Sequence, residues 1–153
     1  MIEQKIEDAV LAKVQAALSA VGVEAQYMGQ LRAVDAVKAV ENAKSDVFVV
    51  AKASPRQYGT PTMPTCQINV QLNALVRADV DYSGADYLAV TGKIMEVLQR
   101  WQRCYDDTHE DFTVEGEFDC TGFQLGSGSF QLDASGKTWQ YSHQMTVFGV
   151  VLE

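Results

Sequence analysis

Apolar and polar residues alternate along this chain with two different periods, and the points where one gives way to the other outline the elements. From 2 to 21 the apolar side chains Ile2, Ile6, Ala9, Val10, Val14, Ala17, Leu18 and Val21 recur every three or four residues, the spacing of one helix face. Glu3, Lys5, Asp8 and Lys13 fall mostly on other sides, and Gly22 is placed to stop the helix in a left-handed conformation. VEAQYM reads as a short strand. LRAVDAVKAVENAK, 31–44, spaces Leu31, Val34, Val37 and Val40 by three and reads as a short helix, against the strand preference of its valines. DVFVVAKA reads as a strand. The clearest pattern is 66–77, where Cys66, Ile68, Val70, Leu72, Ala74 and Val76 alternate with Gln67, Asn69, Gln71, Asn73, Leu75 and Arg77. Period two with one polar face predicts a strand covered on one side, which favours an antiparallel sheet over a doubly covered parallel one.

A second one-sided helix is predicted over 84–104, with Ser83 as N-cap, Tyr82 and Tyr87 as a hydrophobic staple, and Leu88, Ile94, Met95, Leu98, Trp101 and Tyr105 on a broad apolar side. Phe112, Val114, Gly116, Phe118 and Cys120 return to period two. GSGS and DASGK then read as turns between short strands. The final run, 138–152, is long for one strand, and Gly149 is the place for a bend or bulge. The expected fold is therefore α+β: a mixed, largely antiparallel sheet with two main helices, 2–21 and 84–104, packed on one face. The length of 153 residues suits one domain spanning 1–153.

Charge adds an asymmetry. Residues 1–76 hold seven acidic and seven basic side chains, whereas 77–153 hold thirteen acidic and five basic, giving the formal charge of −8. An acidic half repels phosphates, so sequence-specific nucleic-acid binding is not expected. No run approaches 18 apolar residues and MIEQKIEDAV lacks the apolar core of a signal peptide, so no membrane role and a cytoplasmic site of synthesis are expected. Cys66, Cys104 and Cys120 are odd in number and widely spaced, which argues against a disulfide framework and a structural zinc site.

Candidate chemistry is sparse. YDDTHED surrounds His109 with Asp106, Asp107, Glu110 and Asp111; these oxygens suit a hard cation, but their spacing fits no calcium loop, and a solvated acidic loop after the helix is the better reading. His143 lies in a strand and reads as structural or interfacial. GADYLAVTGK lacks the glycine and lysine spacing of a phosphate loop, and GSGS lacks the context of a dinucleotide site. No nucleophile, base and orienting group can be named together, so no catalytic residue, cofactor or metal is assigned.

All three prolines fall in ASPRQYGTPTMPTC, 53–66. Pro55, Pro61 and Pro64 remove amide donors and exclude this stretch from the middle of a sheet. Arg56 and Tyr58, residue types favoured at interfaces, make 54–65 a candidate assembly arm; a hairpin connection folded back on its own sheet is the alternative. Arg56, Tyr58 and Trp139 are the expected interface residues.

The order of a long N-terminal helix, DVFVVAKA, a loop, CQINVQLNALVRAD, a helix ending IMEVLQRWQ and a strand-rich tail with WQYSHQMTVFGVV resembles the tail terminator proteins of long-tailed bacteriophages and the minor tail and neck proteins beside them. The resemblance covers most of the chain and rests on element order. It implies a non-enzymatic structural subunit that self-associates into a ring, commonly a hexamer. That ring would end the tail tube and join it to the head, with the tail tube protein and a head–tail connector protein as partners. It implies assembly in the host cytoplasm and residence in the virion tail. A neck or head–tail adaptor role is the near alternative; a small soluble enzyme or an unrelated α+β binding module are the distant ones.

Overall fold

A computed structural model of the chain describes residues 2–29, 46–59, 64–77, 85–132 and 138–152. In chain order the elements are α1 (Ile2–Ala20), β1 (Gln26–Gly29), β2 (Val47–Ala53), β3 (Gln57–Tyr58), β4 (Thr65–Arg77), α2 (Ala85–Arg103), α3 (Tyr105–Phe112), β5 (Phe118–Leu132) and β6 (Thr138–Val151). The helix expected at 31–44 and the cap and staple positions Ser83 and Tyr82 lie outside the described residues.

Helix α1 ends as its sequence predicts. Gly22 has φ +77, and Val23 N–H bonds Leu18 O (2.9 Å) while Gly22 N–H bonds Ser19 O (3.1 Å). This pair of bonds satisfies two terminal carbonyls, and the left-handed turn that makes them suits glycine. Upstream, Ile2, Ile6, Val10, Leu11, Val14 and Leu18 are buried.

The sheet runs β1-β2-β4-β6-β5, with β3 also on β4. β1 pairs parallel with β2; every other pairing among the described residues is antiparallel. The even-numbered residues of β4 from Cys66 to Val76 are buried, and across from them on β6 stand Gly149, Val147, Met145, His143, Tyr141 and Trp139. This face joins the apolar stripes of α1 and α2, together with Phe112, in one core. On the other face Asn69, Gln71 and Asn73 oppose Thr146, Gln144 and Ser142, an uncharged amide and hydroxyl surface. Its side chains bond one another: Ser142 Oγ donates to Asn73 Oδ1 (2.5 Å) and Thr146 Oγ1 to Asn69 Oδ1 (3.0 Å). On this side Phe48 and Val50 of β2 are buried, and Leu75 and Phe148 add further apolar positions.

Two main helices were expected; the described residues contain three. The third, α3, occupies the stretch read as a solvated acidic loop. Its polar sequence conceals a single buried stripe, since Thr108 and Phe112, four apart, both turn inward. Phe112 stacks on Trp101 at 4.4 Å. The acidic side chains are put to use: Trp101 Nε1–H donates to Asp111 Oδ2 (2.9 Å), and Lys13 Nζ lies 3.0 Å from the same oxygen. Asp106 and Asp107 occupy the first turn, where the helix dipole favours negative charge.

The period-two reading of 112–120 also changes. Phe112 closes α3, Gly116 turns at φ +78, and only Phe118 and Cys120 belong to β5. GSGS is not a turn. β5 runs through it, with register shifts between Cys120 and Gly122 and between Leu125 and Gly128. The bulges therefore sit on β5, while β6 passes Gly149 as one strand. Gly149 is needed for another reason: a Cβ there would strike the Phe118 ring and lie 2.6 Å from the Asp119 carbonyl oxygen. The DASGK segment lies outside the described residues.

Candidate functional site

The segment that carries Arg56 and Tyr58 is built into the sheet. β2 and β3 both pair with β4, and between Ala53↔Val70 and Gln57↔Gln67 the register slips by one residue. That bulge is closed by Ser54, whose N–H bonds Asn69 O (2.8 Å) and whose Oγ accepts from Asn69 N–H (3.1 Å). Helix α1 fastens it from the core side. Ala53 lies past the end of β1, and its N–H is taken by Glu7 Oε2 (2.9 Å), a fully buried carboxylate. One turn earlier, Glu3 Oε1 meets Arg56 Nε at 2.8 Å. Arg56 is thus engaged within its own chain.

Tyr58 is 49% exposed. It borders an open cleft of about 320 Å³ that also touches Gly59, Cys66, Gln67 and Phe148. Burial pushes the Cys66 thiol above its ordinary range, leaving little thiolate and so a poor nucleophile. Residues 60–63 of the proposed arm lie outside the described residues.

Trp139 is elsewhere. It opposes Val76 on β4, ten residues from Cys66, the partner of Tyr58, or roughly 33 Å along a strand. It stacks on Tyr87 of α2 at 5.6 Å, and Tyr87 Oη donates to Gln140 O (2.6 Å). The structure therefore does not bring Arg56, Tyr58 and Trp139 into one patch.

His143 packs on the core face, where the Tyr141 hydroxyl hydrogen-bonds its Nδ1. Burial lowers the His143 pKa from its ordinary value and raises that of Tyr141 to about 12. Both are neutral near pH 7. Gly128 of β5 lies against this pair, and a Cβ there would come 2.9 Å from His143 Nδ1. His109 leaves α3 to meet Asp119 of β5 (2.9 Å), both half exposed. Among the described residues no three His, Cys, Asp or Glu side chains are grouped to hold a metal ion.

Sequence reasoning missed two features. The acidic residues Glu3 and Glu7 face inward; the i, i+4 pair of carboxylates among Ile2 and Ile6 was the signal. The second is the edge of β5. Its residues 121–132 contain no charged side chain, a run that turn-forming glycines and serines disguised.

No family model and no curated protein sequence matches the chain. In three dimensions it is similar to a chain of the virion of a native gene transfer agent particle. The TM-score is 0.52 at 11% identity, over 95% of this chain and 94% of that one. At this identity the likeness establishes a shared fold. It does not single out tail terminators among virion proteins.

Proposed function

We propose that this chain, as one domain, is a structural subunit of a phage-like particle, acting at the tail as a ring that ends the tube and joins it to the head. The observation that supports it most is that the shared fold covers 95% of this chain and 94% of a virion chain. In this reading the subunit assembles in the host cytoplasm, remains in the virion tail and performs no covalent chemistry. Its partners are its own copies, commonly six, with the tail tube protein and a head–tail connector protein.

The test is deletion of the gene from the producing strain, followed by electron microscopy of the particles. Overlong or unattached tails are expected. Tails of normal length that fail to attach would move the role to a neck or adaptor protein, and intact joined particles would end the assembly reading.

A further inference from the structure

The outer edge of β5 is treated differently along its length. Phe118 N–H bonds Val114 O (2.8 Å), Cys120 N–H bonds Thr113 Oγ1 (3.1 Å) and Leu125 N–H bonds Gln102 Oε1 (2.6 Å). All three donors point away from β6, and their partners there are Val151, Gly149 and Met145. The alternation of an antiparallel ladder then turns Gly128, Phe130 and Leu132 outward too, since they oppose His143, Tyr141 and Trp139. No described residue caps these groups, and 126–130 are all exposed. Edge strands are ordinarily blunted by charge, proline or cover. This half of β5 has none of the three among its described neighbours, in a chain of formal charge −8.

Among the described strands the opposite edge of the sheet is β1. One row of paired residues runs Gln26, Phe48, Leu75, Gln140, Gln131, and another runs Gly29, Ala51, Leu72, His143, Gly128. β1 therefore stands level with the uncapped half of β5, and the two strands run in opposite directions. Two copies set side by side in the same orientation bring β5 of one antiparallel to β1 of the next. Gln26–Gly29 is also uncharged, so the like-charged copies meet where neither carries charge.

We propose that residues 126–132 of β5 accept β1 of a second copy as an antiparallel neighbour, head to tail, so that the sheets of successive copies join. Such a contact uses two different edges, so it builds a ring where the turn between copies closes and an open fibre where it does not, rather than a two-fold dimer. The inference rests on the assembly reading above and names its interface.

Sedimentation velocity across a concentration series, with hydrogen exchange on the same samples, tests it on the full chain. Species larger than dimers are expected, in which amides of 26–29 and 126–132 exchange at least about tenfold more slowly than in the monomer. Ser129→Lys and Gln26→Lys, each a charge on one edge, should abolish both the species and the protection with melting unchanged; Ser129→Thr should behave as wild type. A dimer protected at 126–132 alone would overturn the proposal in favour of β5 pairing with itself, as would larger species without protection at both edges. If the purified chain stays monomeric, tailed particles are counted in the producing strain. Loss with both lysine variants supports the proposal. Wild-type counts with either one overturn it, and loss with Ser129→Lys alone assigns the β5 edge to another protein. A deletion that abolishes joined tails while both lysine variants leave them normal would retire the edge pairing and leave the assembly reading intact. A harmless deletion with edge-protected rings would do the reverse.

Discussion

The two faces of the β4–β6 pair come from alternate residues of the same two strands, yet they are held by different forces. On the helix side Ile68, Leu72, Tyr141, Met145 and Val147 are buried to within 1%, and burial of that area supplies the main driving force for folding. On the open side amides and hydroxyls bond one another while still reaching water, and each such bond is worth only about 0.5–1.5 kcal/mol net. The lesson is that the helix side sets stability. The open side contributes little to stability and faces water.

The contrast can be broken by substitution. Trp101→Ala should destabilise by about 3–5 kcal/mol in urea unfolding, because it empties the aromatic stack with Phe112 and Phe123. Gly149→Ala, also toward the core, should cost about 1–3 kcal/mol by overpacking against Phe118. His143 sharpens the comparison through pH. Its folded pKa lies below the ordinary 6.5 because burial disfavours the charged ring. The unfolded chain therefore takes up a proton first as pH falls. Stability from this group is whole above about pH 6.5 and declines below it, by at most about 1.4 kcal/mol per unit. His143→Gln should flatten that part of the stability profile. On the open face, Thr146→Val should cost about 0.5–1 kcal/mol for its bond to Asn69. Gln144→Ala should fall within about 0.5 kcal/mol. A loss at Gln144 as large as that at Gly149 would mean the open face carries stability after all.

The same contrast explains what could be read from the sequence. α1 and β4 were legible because one side of each is apolar and the other polar, so burial writes its period into the residue types. β2 was legible for the opposite reason, being apolar on both sides. α3 was not, since a short helix with only Thr108 and Phe112 turned inward has too few positions to show a period. The course of β5 was hidden because glycine at 126 and 128 serves close approach: a Cβ would lie 3.2 Å from Gln144 O at the first and 2.9 Å from His143 Nδ1 at the second. In a linear string such glycines are indistinguishable from those of a turn. Glu3 read as lying off the apolar face and Glu7 gave no signal of its own, because their partners, Arg56 and the Ala53 amide, are about fifty residues away.

The position of β6 in the sheet has a kinetic consequence. β2 and β4 form one local hairpin and β5 and β6 another, but the seam between them joins Thr65–Arg77 to Thr138–Val150, across α2 and α3. Loop closure on that scale must precede the contacts that reward it, and topologies dominated by such pairings fold slowly. Until the seam zips, β4 presents an open strand edge of thirteen residues. The nascent chain therefore passes through a stage when its own second hairpin competes with any neighbouring strand, and crowded synthesis of many copies favours the wrong partner.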